Sequence, residues 1–280
     1  MLLKGIALAA LVLSGALGLG CGLSLLETVL VFAGTYLALF LLALGFLFLV
    51  CALVDTSKPQ EHDDPFYRAV MYVYVELLIN LVRVRLHTRG LENTPGEGRF
   101  LLVCNHLFIA DPGILLHCFR KSQLAFVTKQ ENQKLPVINK FMHKTLCQNL
   151  NRENDREALK TILKCIQLIR EEEVSIAIFP EGGTSKDGML HPFRAGAFKI
   201  AQKTKVPIVV CTIQGTRSIF KNLAHLRHTD VDLHLLEVIE PEQYAGMNTV
   251  EISDMVYEKM IADLGEERRW HAPDPDKNPT

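Results

Sequence analysis

Leu101-Leu102-Val103-Cys104-Asn105-His106-Leu107-Phe108-Ile109-Ala110-Asp111-Pro112 is the stretch on which the reading of this chain turns. Its first four residues are apolar and short enough for a strand buried on both faces. A polar Asn-His pair follows at once, and Asp111-Pro112 then reads as the N-cap and first position of a helix. The same alternation continues outward. Apolar runs at 100–104, 124–128, 174–179, 207–213 and 231–238 predict strands, and helical spacing marks 112–119, 136–144, 155–170, 194–204 and 250–268. Strands alternating with helices predict an α/β layered fold, with a mixed or parallel sheet flanked by helices. In such sheets the reactive groups sit in loops beyond the strand ends, which is where Asn105 and His106 fall.

Upstream, the character changes. The first 54 of the 280 residues hold two charges, Lys4 and Glu27, and the other 226 carry 59. Overall, 30 Lys+Arg balance 31 Asp+Glu, so the basic excess of a nucleic-acid binder is missing, and 49% hydrophobic residues exclude a disordered chain. Lys4 ahead of an apolar run resembles a signal sequence, and Gly20-Cys21 a lipoprotein cleavage site. The second charge-free run, 28–54, is too long for either and predicts a membrane anchor over 1–54. As helices, its two runs extend about 28 and about 40 Å. Gly18, Gly20 and Gly22 supply the turn between them, and two full spans or a hairpin re-entering one leaflet both fit. Either way both ends emerge on one side. Lys4 at one end, with Lys58, Arg68, Arg83, Arg85 and Arg89 beyond the other, predicts that this side is cytosolic. Seven cysteines without CxxC or zinc spacing predict free thiols in a reducing compartment and no structural metal.

Residues 55–65 (DTSKPQEHDDP) read as a polar linker. Apolar and tyrosine positions at helical spacing over 66–86 predict an interfacial helix, with a core helix as the alternative. A folded domain then extends over 66–270, and the tail 271–280 reads as disordered.

Five residues apart across a turn, the Asp111 carboxylate can reach the His106 imidazole, orient it and leave its other nitrogen as a general base. Taken alone, Asp111 is equally a helix cap. Cys104 stands at Cys-x-His spacing, but strand alternation makes it packing rather than a nucleophile. A second stretch, Ile178-Phe179-Pro180-Glu181-Gly182-Gly183-Thr184-Ser185-Lys186, runs from a strand into a turn whose glycine N–H groups can face an anion.

Together the two stretches resemble the glycerolipid acyltransferase family typified by 1-acylglycerol-3-phosphate acyltransferase. Asn105, His106, Asp111 and Pro112 match its first motif, Phe179, Pro180, Glu181 and Gly182 its third, and Val206-Pro207-Ile208 the start of its fourth. Arg152 falls where the second motif places an arginine for the acceptor phosphate. The resemblance implies that 66–270 is an acyltransferase domain, with His106 and Asp111 as the general-base dyad. It also implies Asn105, Arg152, Glu181, Gly182, Gly183 and Thr184 around the substrate, with Glu181 positioning the acceptor's polar end. The donor it implies is acyl-CoA or an acyl-carrier protein and the acceptor a lysophospholipid, used at a bilayer without metal or cofactor. Three departures concern the acceptor. Gly183-Thr184-Ser185 stands where the family has Thr-Arg-Ser, leaving Lys186 as a substitute cation. The second motif lacks its glycine and aromatic, and the fourth a proline at Val209 or beyond. Another lysophospholipid or glycerol 3-phosphate as acceptor, thioester hydrolysis and a non-catalytic lipid-binding role remain as alternatives.

Overall fold

A computed structural model describes residues 2–151 and 154–272. In chain order it runs α1 (Leu2–Cys21), α2 (Leu25–Ala52), α3 (Pro65–Leu81), β1 (Val84–Arg89), β2 (Leu101–Cys104), α4 (Asp111–Cys118), β3 (Leu124–Lys129) and α5 (Pro136–Lys144). There follow β4 (Gln148–Leu150), α6 (Asp155–Arg170), β5 (Ser175–Ile178), α7 (Lys199–Thr204), β6 (Ile208–Gln214), α8 (Ile219–Ala224), β7 (Thr229–Ile239) and α9 (Thr249–Leu264). Among the described residues the strands form one seven-stranded sheet in the order β1-β7-β6-β2-β5-β3-β4. Only the β6–β7 pairing is antiparallel, so β1 and β7 run against the other five strands.

The period of two in the strands decides which cluster each residue joins. On β2, Leu101 and Val103 pack into one cluster with α6, α7 and α9, while Leu102 and Cys104 face the other with α4. Both faces are covered, which is why these strands read as unbroken apolar runs. On α9, Ile252, Val256 and Met260 recur every four residues at 0% exposure. Each such side chain contributes about 1.5–3 kcal/mol on burial.

Two strands and one helix escaped the sequence reading. β1 is a mostly exposed edge strand, β4 has three half-buried residues, and α8 is a six-residue turn of helix. The pattern at 194–204 divides into a 3-10 turn, Ala195–Phe198, followed by α7. That at 250–268 breaks at Gly265.

At the amino end, the Ser24–Glu27 capping box starts α2 at Leu25, so the lone acidic residue of this region satisfies a helix terminus. Leu2 and Leu3 of α1 and Cys51 of α2 share a cluster with Val70, Met71, Tyr74 and Leu77 of α3 and with Phe141 of α5. Both open ends of the hairpin therefore sit at the domain. Both helices are long and apolar enough to cross a membrane, and protein covers little of either. An uncovered apolar surface of this size points to membrane association.

The helix read at 66–86 occupies Pro65–Leu81, because Arg83 turns left-handed (φ 57°) and β1 begins at Val84. Its tyrosines turn toward protein. Tyr72 is buried, Tyr67 donates to the Val50 carbonyl (3.1 Å) and Tyr74 to that of Ala43, so α3 clamps α2 to the domain. Nor is the end of the linker loose. Asp63 forms a bidentate pair with the buried Arg68 at 2.6 Å, and Arg68 also donates to the Leu124 carbonyl (3.0 Å). The tail prediction falls almost wholly on 273–280, outside the described residues.

Candidate active site

Because β6, β2, β5 and β3 are parallel neighbours, their carboxyl ends open on one edge of the sheet. The loops that follow these strands meet there. Asn105, expected at the substrate, is held by the neighbouring strand. It is 2% exposed; its amide nitrogen donates to the Ile213 carbonyl (2.9 Å) and its oxygen accepts from the Ile213 N–H (2.7 Å). Acting like one more strand residue, it ties the end of β2 to β6 and points the chain at His106.

His106 Nδ1 lies 2.8 Å from Asp111 Oδ2, with side-chain exposures of 15% and 0%. A carboxylate only accepts, so Nδ1 carries the proton and Nε2 the lone pair. Nε2 has no partner among the described residues. The imidazole stacks on Phe179, ring centroids 4.1 Å apart and planes 18° apart, which holds its orientation from below. Asp111 is the first residue of α4 rather than its cap; Ala110 takes the cap position. Its carboxylate turns back instead, and Oδ2 also accepts from the Leu107 and Phe108 N–H groups at 2.7 Å. Oδ1 is buried without a partner among the described residues. The result is an oriented imidazole with one open basic nitrogen and a buried anion behind it, able to accept a proton from a bound hydroxyl.

Glu181 is likewise held by the protein. Oε1 accepts from the His106 N–H (2.8 Å) and Oε2 from the His191 N–H (3.0 Å), so both oxygens hold protein loops rather than facing an acceptor. Burial pushes its carboxyl up to about 7, against the pull of these two N–H groups. Gly182 has φ +79°, a conformation few other residues adopt without strain, and its N–H is committed to the Phe179 carbonyl (3.0 Å). Of the two glycines, only Gly183 has an N–H without a partner among the described residues. Thr184 is exposed, whereas the buried Ser185 donates its N–H to the His106 carbonyl (2.7 Å) and closes the loop on its own backbone. Cys104 and Cys211 are fully buried, with thiols pushed well up by desolvation; neither is a nucleophile. Arg152 lies outside the described residues.

Two cationic groups went unread in the sequence. Lys129 ends β3, and its Nζ lies 3.8 Å from the position a Cβ on Gly183 would take. As the first charge after an apolar strand, on a strand beside β5, it could have been flagged from its position alone. Arg217, just beyond β6, donates to the Lys186 carbonyl. Phe108 and Phe220 pack edge-to-face at 4.9 Å, and Ile109 beside them is 66% exposed, so the far wall of the His106 loop is apolar.

The acyltransferase family model matches residues 85–214, which include His106, Asp111, Lys129, Glu181 and Gly183 but not Arg217 or Phe220. The chain is 27% identical over 196 residues to the 1-acyl-sn-glycerol-3-phosphate acyltransferase of Borreliella burgdorferi, covering 68% of this chain and 78% of that one. It is 36% identical over 146 residues to a chloroplastic 1-acyl-sn-glycerol-3-phosphate acyltransferase of Brassica napus, covering 51% of this chain and 42% of the plant protein. The crystal structure of the 1-acyl-sn-glycerophosphate (LPA) acyltransferase of Thermotoga maritima shares the fold, with a TM-score of 0.60 at 23% identity over 81% of this chain and 90% of that one.

Proposed function

From the premise that residues 85–214 form an acyltransferase domain like that of the 1-acyl-sn-glycerol-3-phosphate acyltransferases, we propose that this chain is a membrane-bound O-acyltransferase. It moves a fatty-acyl group from acyl-CoA or an acyl-carrier protein to the free hydroxyl of 1-acyl-glycerol 3-phosphate, giving phosphatidic acid. The observation that carries this reading is the His106–Asp111 pair with Nε2 open beneath the loop.

His106 Nε2 takes the proton of the acceptor hydroxyl as its oxygen attacks the thioester carbonyl. Asp111 stabilises the imidazolium that forms. The Gly183 N–H is the donor free to meet the oxyanion, since that of Gly182 is already engaged. On collapse the C–S bond breaks, and the imidazolium returns its proton to the departing sulfur. No acyl-enzyme is needed. Lys129 and Arg152 pair with the acceptor phosphate, and Glu181 keeps the His106 loop in place from behind. The apolar wall at Phe108, Ile109 and Phe220 suits a fatty chain. The domain faces the cytosol, because both ends of the α1–α2 hairpin meet it and lysines and arginines gather beyond the anchor.

The test follows thiol release from palmitoyl- or oleoyl-CoA by the detergent-purified protein, with product lipids analysed in parallel. Lysophosphatidic acid, glycerol 3-phosphate, lysophosphatidylcholine and no acceptor are compared. Release that requires lysophosphatidic acid, with phosphatidic acid appearing, is expected. Release without acceptor identifies a hydrolase, and preference for another acceptor means that Thr184-Ser185 in place of an arginine has changed specificity.

A further inference from the structure

Beside the reaction centre, on the β6 side, a cavity of about 200 Å³ is lined by Asn105, Leu107, Gly188, Gly215, Arg217 and Arg268, among others. Asn105 and Leu107 flank His106 in the chain. Two guanidinium groups converge on it. A Cβ on Gly188 would collide with Arg217 Nη1 and stand 3.3 Å from Arg268 Nη1, so both guanidinium groups close on the place a side chain there would need. Gly188 has φ +86°, which itself favours glycine there.

Neither arginine meets a carboxylate among the described residues. Arg217 donates to the Lys186 carbonyl and Arg268 weakly to that of Gly188 (3.4 Å), which leaves most of their N–H groups unengaged. Asp187, next to Gly188 in the chain, is already taken by Ser185, the Met189 N–H and His191, and Glu266, near Arg268 in the chain, pairs with Arg269. Two like charges drawn to one open cavity without an anion is the arrangement expected of a phosphate-binding site. It also lies apart from Lys129, which stands on the β3 side of the same edge. His106 follows β2, which lies between them, so cations flank the centre on both sides.

We propose that Arg217 and Arg268 form a second phosphate subsite, separate from the one at Lys129. This rests on the acyl-transfer reading, in which both substrates carry phosphate: the glycerol phosphate of the acceptor and the nucleotide phosphates of a CoA donor. The chemistry recognised is the same for either source.

The test uses the full chain in detergent. Binding of coenzyme A and of glycerol 3-phosphate is measured by calorimetry for the native protein, Arg217→Gln and Arg268→Gln, with thermal melting as the folding control. Each substitution is expected to weaken one of the two probes about tenfold, the size of one charge-assisted hydrogen bond, and to raise the KM of the matching substrate while leaving kcat nearly unchanged. Weakened coenzyme A assigns the subsite to the donor, and weakened glycerol 3-phosphate assigns it to the acceptor. Unchanged affinity for both in folded variants overturns the proposal. Binding requires no turnover, so an inactive native protein that still binds a probe through these arginines refutes the acyl-transfer reading and leaves the subsite standing.

Discussion

Replacing Asp111 by Asn isolates the charge behind His106 with little change of shape. Oδ2 accepts three hydrogen bonds, from His106 Nδ1 and the Leu107 and Phe108 N–H groups. An amide turned with its NH₂ into that place would set donor against donor three times. The Asn oxygen therefore takes the Oδ2 position, and the NH₂ takes that of Oδ1, buried with no acceptor among the described residues. The imidazole keeps its Nδ1 proton and its orientation; what is lost is the negative charge. For charges about 4 Å apart at an effective dielectric near 20, that interaction is worth about 4 kcal/mol. The loss falls on the transition state, in which the imidazolium forms. The expected result is a kcat reduced on the order of a thousandfold with KM for both substrates nearly unchanged. The stranded NH₂ costs a further 1–3 kcal/mol or so of folding stability. Initial rates of thiol release with lysophosphatidic acid measure the first effect, and denaturant unfolding in mild detergent the second. A folded Asp111→Asn protein with kcat within tenfold of the native value would show that the pair is structural and that His106 is not the base.

Arg68→Met leaves the Asp63 carboxylate buried and unpaired; it is expected to lose about 3–5 kcal/mol in denaturant unfolding, most of it recovered on adding Asp63→Leu. A loss below about 1 kcal/mol would mean that α3 is held by its apolar contacts alone. Glu181, raised to about 7 from an ordinary 4.5, holds its proton more tightly folded than unfolded. Its contribution is therefore complete below about pH 4.5 and is lost as pH rises through 7, about 3 kcal/mol in all. The melting temperature of the native protein should fall between pH 5 and 7.5 by more than that of Glu181→Gln, and parallel curves for the two would refute the assignment. Lys129→Ala should raise the KM for lysophosphatidic acid about tenfold with little change in that for the acyl donor. An unchanged acceptor KM counts against the phosphate contact.

What the sequence disclosed was local, and what it concealed was long-range. His106 and Asp111 are five residues apart, so helix-start chemistry and reach were enough to pair them. β2 could be read because both its faces are buried, as Leu101 and Val103 against Leu102 and Cys104 attest. β1 could not, because an edge strand with one neighbour keeps the polar pattern of a loop. The tyrosines of α3 carry the same helical period whether they face headgroups or the carbonyls of α2. The discriminating residue was Arg68, since an arginine inside an apolar stripe signals a buried partner. At the site, the same distinction separates side chains held by the protein from those left open. Glu181 and Asn105 have side chains suited to a ligand, and their distant partners cannot be read from the sequence around them. Their partners are 75 and 108 residues away, brought up by the strand order β6-β2-β5. Once that order is known, each of these side chains is seen to hold protein backbone. Among the described residues, His106 Nε2, the Gly183 N–H, Lys129 and the two arginines on the β6 side keep open capacity, and these, with Arg152, are the groups to which the proposed chemistry turns.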